Sequence, residues 1–370
     1  MKRLALISLL VLAAGLPGAA PAAYCSPLTC AASGASIGND LLAARPSGVS
    51  GVAQIVDLRD GSVKWRLPSG ILVGHTLVEQ SASNEVTWHD ALTGQRIGKA
   101  KVAAGSAGSL YLTGLSQDGT RAVLMQRPST GTPTVVVVSQ SKEQRIVLPA
   151  GNWDFDALSG DSLYLLKYLS SGYEVRLYDL AAGTLAAKPL KDPKASSTIW
   201  GQAWERIGSR DGQYLFTLYI GSDGGAMVHQ LNLKTATARC IDLPGSGSFN
   251  ASSTWAMELS PNGKTLWAVS PGLGRVAGID VGTRKVRVSF RFKKTSFPAP
   301  NGPATSVSAM SSNGSRMAVG TGGKIFYVSL AARKVVEGTP HGAIAIGYAP
   351  DGTTLWVFDN TEHVTALPAL

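Results

Sequence analysis

LSPNGKTLWAV, residues 259–269, sets the polar run Ser260-Pro-Asn-Gly263 between two apolar stretches, and YAPDGTTLWVF at 348–358 repeats the arrangement. Asn or Asp tolerates left-handed backbone and Gly supplies positive φ, so the pair suits a tight turn between two strands. To act as ligands, Asn262 and Asp351 would have to converge, yet they sit in separate copies of the motif. Neither copy has the dense acidic spacing of an EF-hand loop. The turns read as folding punctuation.

Relatives of this turn recur along the chain: SQDG (116–119), SRDG (209–212) and SSNG (311–314), with a degenerate SGDS at 159–162 and a shorter Ser69-Gly70. Their glycines, or Asp161 in the degenerate copy, fall at 70, 119, 161, 212, 263, 314 and 352. The gaps of 49, 42, 51, 51, 51 and 38 residues suit four strands plus loops. Each turn leads into a run of β-formers such as TLWAV or YLFTLYI, then an alternating run such as RVAGIDV or MVHQLNL, then a fourth such as KVRVSFRF. Period-two alternation with Gly, Asn and Asp punctuation predicts antiparallel meander strands. A four-strand repeat of about 40–50 residues is the signature of a propeller blade.

Through Ser260-Pro-Asn-Gly-Lys-Thr-Leu-Trp-Ala-Val269, Val276-Ala-Gly-Ile-Asp-Val281 and Ala349-Pro-Asp-Gly-Thr-Thr-Leu-Trp-Val357, the chain resembles the bacterial YVTN-type and WD-repeat-like β-propeller families. The resemblance spans roughly 50–370. It implies an all-β single propeller of four-stranded antiparallel blades, and implies little about function, because such propellers serve as enzymes, receptors and scaffolds. Seven turns predict seven blades, with GVAQIVDL (51–58) closing the ring as the missing fourth strand of the last blade. An eight-blade frame is the rival. It takes GASIGND (34–40) as another turn and Asp57, Gly61 and Trp65 as an Asp-xxx-Gly-xxx-Trp repeat resembling quinoprotein propellers.

Bulk properties agree with an all-β globular chain: 44% hydrophobic residues, 16% charged, and 42 glycines. Lys2 and Arg3, the apolar run Leu4–Leu16 and the small residues around Ala20–Ala23 predict a cleaved signal peptide over 1–23. The expected domain order is that signal, an N-terminal segment at 24–50, and the propeller at 51–370. Cys25 and Cys30 are spaced for a disulfide in an oxidising compartment, whereas Cys240 in ARCIDL reads as a small buried hydrophobe. No later segment is long and apolar enough to span a membrane, so the expectation is a secreted or periplasmic monomer. The net charge of +10 favours anionic surfaces such as cell-envelope polymers, and no nucleic-acid motif accompanies it.

Innermost strands line a propeller's channel, so their polar side chains are the first candidates for a site. NWDFDAL (152–158) is expected to carry Asn152, Asp154 and Asp156 on one strand face. Two carboxylates at i and i+2 can hold a channel cation, share a proton or simply hydrate the wall. TIWGQAWERIG (199–208) adds Trp200, Gln202 and Trp204, and Trp255 occupies the matching strand one repeat on. Aromatic faces beside polar groups suit a sugar or flat ligand, although each tryptophan is also a natural wedge between blades. No organic cofactor is expected.

In RKVRVSFRFKK, alternation is expected to put Val286, Val288, Phe290 and Phe292 on one face and Arg287, Ser289 and Arg291 on the other. With Arg284, Lys293 and Lys294 these form a candidate anionic-partner patch on an outermost strand, where basic residues also deter edge pairing. Enzyme motifs lack context. GASIG is not in a strand-to-helix elbow, and His75, His89, His229, His341 and His363 show no paired ligand spacing. The sequence therefore predicts an exported binding or interaction module with a protein, small-molecule or glycan partner at the channel mouth. The alternatives are a lactonase-like or quinoprotein-like propeller enzyme and a module for anionic surface polymer.

Overall fold

Runs of β-branched and aromatic residues alternate in burial with period two, so each strand feeds side chains to both faces of its sheet. The strand Leu41–Ala44 illustrates it. Leu41 and Ala43 join one apolar cluster while Leu42 and Ala44 join another. A sheet apolar on both faces must be sandwiched between two others, and a ring meets that demand for every sheet.

A computed structural model of the protein describes residues 34–38, 40–44, 53–67, 70–103, 109–126, 132–170, 172–193, 199–297, 306–359, 361 and 363–370. Eight antiparallel meanders follow one another along the chain. Blade 1 holds β1 (Gly34–Gly38), β2 (Leu41–Ala44), β3 (Ala53–Asp57) and β4 (Val63–Leu67), and blade 2 holds β5 (Ile71–Val73), β6 (Thr76–Gln80), β7 (Glu85–Asp90) and β8 (Gln95–Lys101). Blade 3 is β9 (Leu110–Leu115), β10 (Ala122–Gln126), β11 (Thr134–Val138) and β12 (Glu143–Val147). Blade 4 is β13 (Asn152–Ser159), β14 (Ser162–Leu169), β15 (Gly172–Asp179) and β16 (Thr184–Leu185). Blade 5 comprises β17 (Gln202–Gly208), β18 (Tyr214–Ile220), β19 (Ala226–Asn232) and β20 (Thr237–Asp242), followed by the short helix α1 (Phe249–Ser252). Blade 6 comprises β21 (Ala256–Leu259), β22 (Thr265–Ser270), β23 (Arg275–Asp280) and β24 (Lys285–Arg291). Blade 7 is β25 (Val307–Met310), β26 (Arg316–Thr321), β27 (Lys324–Ser329) and β28 (Lys334–Pro340), and blade 8 is β29 (Ala345–Tyr348), β30 (Thr354–Phe358) and β31 (Val364–Pro368).

First strands of neighbouring blades meet in six of the eight seams, β1 with β29 among them, so the first strands surround the axis and the ring closes between blades 8 and 1. Eight apolar clusters fill the eight seams. The closing one sets Leu42, Ala44, Val56 and Leu58 of blade 1 against Ala345 and Phe358 of blade 8. The seam between blades 5 and 6 gathers Phe216, Leu218, Val228, Trp255, Met257 and Leu266, all essentially buried. Each such side chain contributes on the order of 1.5–3 kcal/mol relative to leaving it in water.

The blade count is eight, which corrects the expected seven. The first inner turn lies at Asp40, where a non-glycine residue holds φ +59, so counting glycines passes over it. In blade 2 the turn glycine is Gly74 (φ +56) rather than Gly70. The rival frame had the right number for a different reason, since GASIG is itself a strand, β1. Residues 53–57 form the third strand of blade 1 and so do not serve as the fourth strand of blade 8, which has three strands among the described residues.

The SPNG turns are bonded within themselves. Ser260 Oγ donates to Asn262 Oδ1 at 2.8 Å, and Asn262 Oδ1 also accepts the Lys264 N–H at 3.0 Å. Ser260 Oγ in turn accepts the Thr265 N–H at 2.9 Å, and Gly263 holds φ +68. The same pattern recurs around Ser209 and Asp211, where the Ser209 hydroxyl holds the Asp211 carboxyl below its usual range.

A second repeated device joins the blades. In six of the eight blades the residue after the third strand turns its carbonyl toward the preceding blade, and a side chain from that blade donates to it. The bonds are Trp356 Nε1 to Leu58 O (2.6 Å), Trp65 Nε1 to Ala91 O (3.1 Å) and Gln144 Nε2 to Leu180 O (2.9 Å). Tyr164 Oη to Leu233 O (2.8 Å), Gln230 Nε2 to Val281 O (3.1 Å) and Arg316 Nη1 to Ala369 O (3.1 Å) complete the set. Trp65 and Trp356 also lie over the turn glycines Gly94 and Gly61 of the blade they reach.

Candidate functional site

Innermost strands of a ring run side by side in the same direction but are too far apart for a regular ladder, so side chains do the stitching. Gln80 of blade 2 acts as a two-way splint on β9: its Oε1 accepts the Leu112 N–H at 2.6 Å and its Nε2 donates to Leu110 O at 2.9 Å. Ser308 Oγ donates to Met257 O at 3.0 Å, and Glu205 Oε2 accepts the Met257 N–H at 2.7 Å.

The predicted acidic strand takes part in this stitching. β13 bulges between Phe155 and Ala157, leaving Asp156 as the extra residue. The strict i, i+2 alternation expected for Asn152, Asp154 and Asp156 therefore breaks at Asp156. Asn152 is exposed, whereas Asp154 and Asp156 are only 2% and 3% exposed. Arg206 of β17 reaches back one blade, donating from Nη2 to Asp156 Oδ1 and from Nη1 to Asp156 O, both at 2.7 Å. This ion pair is buried on both sides. Burial pushes the Asp156 carboxyl up, Arg206 opposes that, and the neighbouring charge of Asp154 adds to it.

Two further acids continue the inner wall. Burial, reinforced by the charge of Glu258, holds Glu205 well above the usual carboxylate range, against the pull of the Met257 N–H. Burial likewise raises half-buried Glu258 to about 7, opposed by the Ser308 hydroxyl and Arg210. The wall across blades 4–6 is thus polar but holds fewer charges near neutrality than its residue types suggest. Among the described residues, no group of three His, Cys, Asp or Glu side chains has an arrangement that could hold a metal ion.

Of the four remaining candidates, Trp204 and Trp255 share the apolar seam between blades 5 and 6 rather than an open mouth. Trp255 is fully buried in the seam between blades 5 and 6. Trp204 occupies the bulge of β17 and packs edge-on against Phe249, ring centroids 5.8 Å apart. Gln202 is half-buried at the start of β17. Trp200 lies just before β17, 37% exposed, over the backbone of Gly221 and Gly225 in the β18–β19 hairpin.

Several exposed side chains stand together on the face of the disc at which the inner strands of blades 3–5 begin. Tyr111 at the start of β9 is 59% exposed, Asn152 opens β13, Trp200 precedes β17, and Leu169 on the β14–β15 hairpin is 38% exposed. The sequence reading passed over Tyr111. Its only signal is an aromatic at the entry of a first strand, which looks the same as a wedge residue.

In the basic stretch, β24 is the outermost strand of blade 6, as expected, with Lys285, Arg287, Arg291, Lys293 and Lys294 exposed. One detail is corrected. A bulge at Arg287 breaks the register, so Val286 faces the seam with blade 5 while Phe290 and Phe292 face the seam with blade 7. Arg284 is a turn residue held at φ +59. Cys240 is a free, half-buried thiol whose pKa burial raises to about 11. The expected signal peptide and the Cys25–Cys30 pair lie outside the described residues. No helix among the described residues is long and apolar enough to cross a membrane.

Eight meanders arranged from axis to rim define a β-propeller, and that is the class of this chain. No family model matches it, and no curated protein does. Among solved structures, apo AztD from Citrobacter koseri is 18% identical with a TM-score of 0.55, covering 84% of this chain and 86% of that one. A second Citrobacter koseri AztD structure is 16% identical with a TM-score of 0.55 and covers 84% and 87%. The Cps50 (Swd1) β-propeller domain of Myceliophteria thermophila is 13% identical, with a TM-score of 0.45 over 89% and 93%. At such identities the likeness is one of fold.

Proposed function

We propose that this protein is an exported, monomeric propeller that acts as a binding module, taking a protein, small-molecule or glycan partner at the channel mouth where its innermost strands begin. The observation that carries the reading is the exposure of Tyr111, Asn152 and Trp200 at the entries of three successive first strands. Aromatic side chains with one wet face are favoured anchors for ligands and partners, and a rigid ring holds them without an ordering cost on binding. The inner acids below them are engaged with the scaffold, which favours the rim of the mouth over the depth of the channel as the place of recognition. Export rests on the basic and apolar run at 1–23 and is checked by sequencing the N-terminus of the mature protein.

Trp200 provides the readout. Tryptophan emission, to which Trp200 contributes as one of eight, is followed while the protein is titrated with a panel of soluble oligosaccharides and short peptides. The expected result is a saturable change that Tyr111→Ala together with Trp200→Ala weakens at least about tenfold, measured for the variant by calorimetry. The reading fails if that variant binds the same compound as tightly as the parent protein.

A further inference from the structure

Two arginines face each other on the outer part of blade 6. Arg275 opens β23 and Arg291 ends β24, and the antiparallel register pairs them directly. Side chains so placed have Cβ atoms about 4.5–5.5 Å apart, and like charges in that relation destabilise a sheet. Neither forms an ion pair with any carboxylate among the described residues.

The other basic residues divide into two kinds. Arg287 has Asp280 for a neighbour, and Lys293 has Glu337, whose carboxyl also accepts from Lys324 at 2.6 Å. Lys285 stands opposite Asp280 in the register. Lys294 forms no ion pair with a carboxylate among the described residues, and its backbone lies against Gly274, the residue before Arg275. Arg275 is laid along the backbone of Gly245 in the loop after β20. Three unopposed cations, Arg275, Arg291 and Lys294, therefore meet at one corner, where β23 begins and β24 ends. Exposed Ser289 sits two residues from Arg291. That corner lies on the disc face where the inner strands begin, out at the rim.

We propose that this corner is a docking site for an extended phosphate-bearing polymer, with Arg275 and Arg291 clamping one phosphate between them and Lys294 attracting the next. Guanidinium forks match phosphate oxygens with two parallel hydrogen bonds, which a bare ammonium cannot reproduce. A bound phosphate also removes the repulsion between the two arginines, so the site is built from a pairing the sheet alone disfavours. It is separate from the channel-mouth reading: the outer strands of one blade carry it, and Tyr111 and Trp200 take no part.

The test uses the full chain and fluorescein-labelled inorganic polyphosphate, with binding followed by anisotropy from 50 to 300 mM NaCl. For single-stranded polyanions the log–log salt slope falls by roughly 0.7 for each phosphate that the protein no longer neutralises. Arg275→Gln with Arg291→Gln, which removes the clamp on one phosphate, should therefore flatten the slope by about 0.7 and weaken binding at least about tenfold at the lowest salt. Arg275→Lys with Arg291→Lys should keep most of the slope yet still lose affinity, because the charge remains and the fork is gone. Poly-L-glutamate should bind more weakly than polyphosphate. Thermal melting of each variant without polymer should show no loss of stability. Wild-type protein that ignores polyphosphate at 50 mM NaCl, a glutamine variant that binds like wild type, or a lysine variant with full affinity would each overturn the proposal. So would equal binding of poly-L-glutamate.

Discussion

Replacing Arg206 by Met isolates the buried ion pair between blades 4 and 5. Asp156 and Arg206 have side chains only 2% and 4% exposed, and Arg206 supplies both a carboxylate contact and the bond to the Asp156 carbonyl freed by the bulge. Methionine fills similar volume but leaves an uncompensated carboxylate and an unpaired carbonyl in a dry seam. Breaking a buried pair from one side costs about 3–5 kcal/mol. At roughly 2 °C per kcal/mol for a chain of this size, the melting temperature should fall by about 6–10 °C at pH 7.5. The deficit should depend on pH with a definite sign. In the variant, burial raises the Asp156 pKa with no arginine to oppose it. The penalty is then present at pH values above that raised pKa and disappears as pH falls through it. Differential scanning calorimetry from pH 4.5 to 8 should show the two proteins converging on the acid side. Asp156→Leu added to Arg206→Met should recover much of the loss, since no charge is left unpaired. A variant melting within 1–2 °C of wild type at pH 7.5 would mean the pair behaves as an exposed one, worth about 0–1 kcal/mol, and the reasoning would fail.

Other predictions address the turns, the closing seam and the inner acids. Glu258 is raised to about 7 and Glu205 lies well above its usual range, so both favour the protonated folded state; that stability is present at low pH and lost as pH rises through the folded values. Melting temperature should be higher at pH 6 than at pH 8, and Glu258→Gln should shrink the difference; a profile unchanged by the substitution would refute the assignment. Gly61→Ala and Gly263→Ala impose the same left-handed strain at φ +72 and +68, but only at Gly61 would the new Cβ lie 2.4 Å from the Trp356 ring. Urea unfolding should show Gly61→Ala the more destabilising by about 1–3 kcal/mol. Ala236 and Arg333 hold φ +49 and +52 at positions where blades 1, 2 and 4 have glycine, so Ala236→Gly and Arg333→Gly should each stabilise by about 0.5–1 kcal/mol in the same assay.

Turn chemistry and period-two patterning were legible in the sequence because both are local. The Ser-x-Asn/Asp-Gly turns hold their own hydrogen bonds, so composition alone identifies them. Asp40 escaped the count because a left-handed aspartate leaves no mark that distinguishes it from any other aspartate, and β1, GASIG, has little of a strand's usual composition. The site was less legible for a geometric reason. Bulges at Asp156, Trp204 and Arg287 each shift the alternation by one residue, and a one-residue shift moves every later side chain to the other face. The partners that decide a residue's role lie about 50 positions away, as Arg206 does from Asp156 and Met257 from Glu205. Nothing near Asp156 in the chain announces its arginine.

The bonds across the seams have a consequence for how such a ring can vary. In each the acceptor is one fixed backbone atom, the carbonyl after the third strand, set by the turn that follows it. The donors are of four residue types on second, third and fourth strands: tryptophans on β4 and β30, glutamines on β12 and β19, a tyrosine on β14, an arginine on β26. A main-chain acceptor survives any substitution at its own position, and several side chains can reach it. The joint between modules is therefore written in the backbone and only loosely in the sequence, so a blade can change most of its residues without losing its place. A ring assembled in this way keeps its shape long after its repeats have stopped resembling one another.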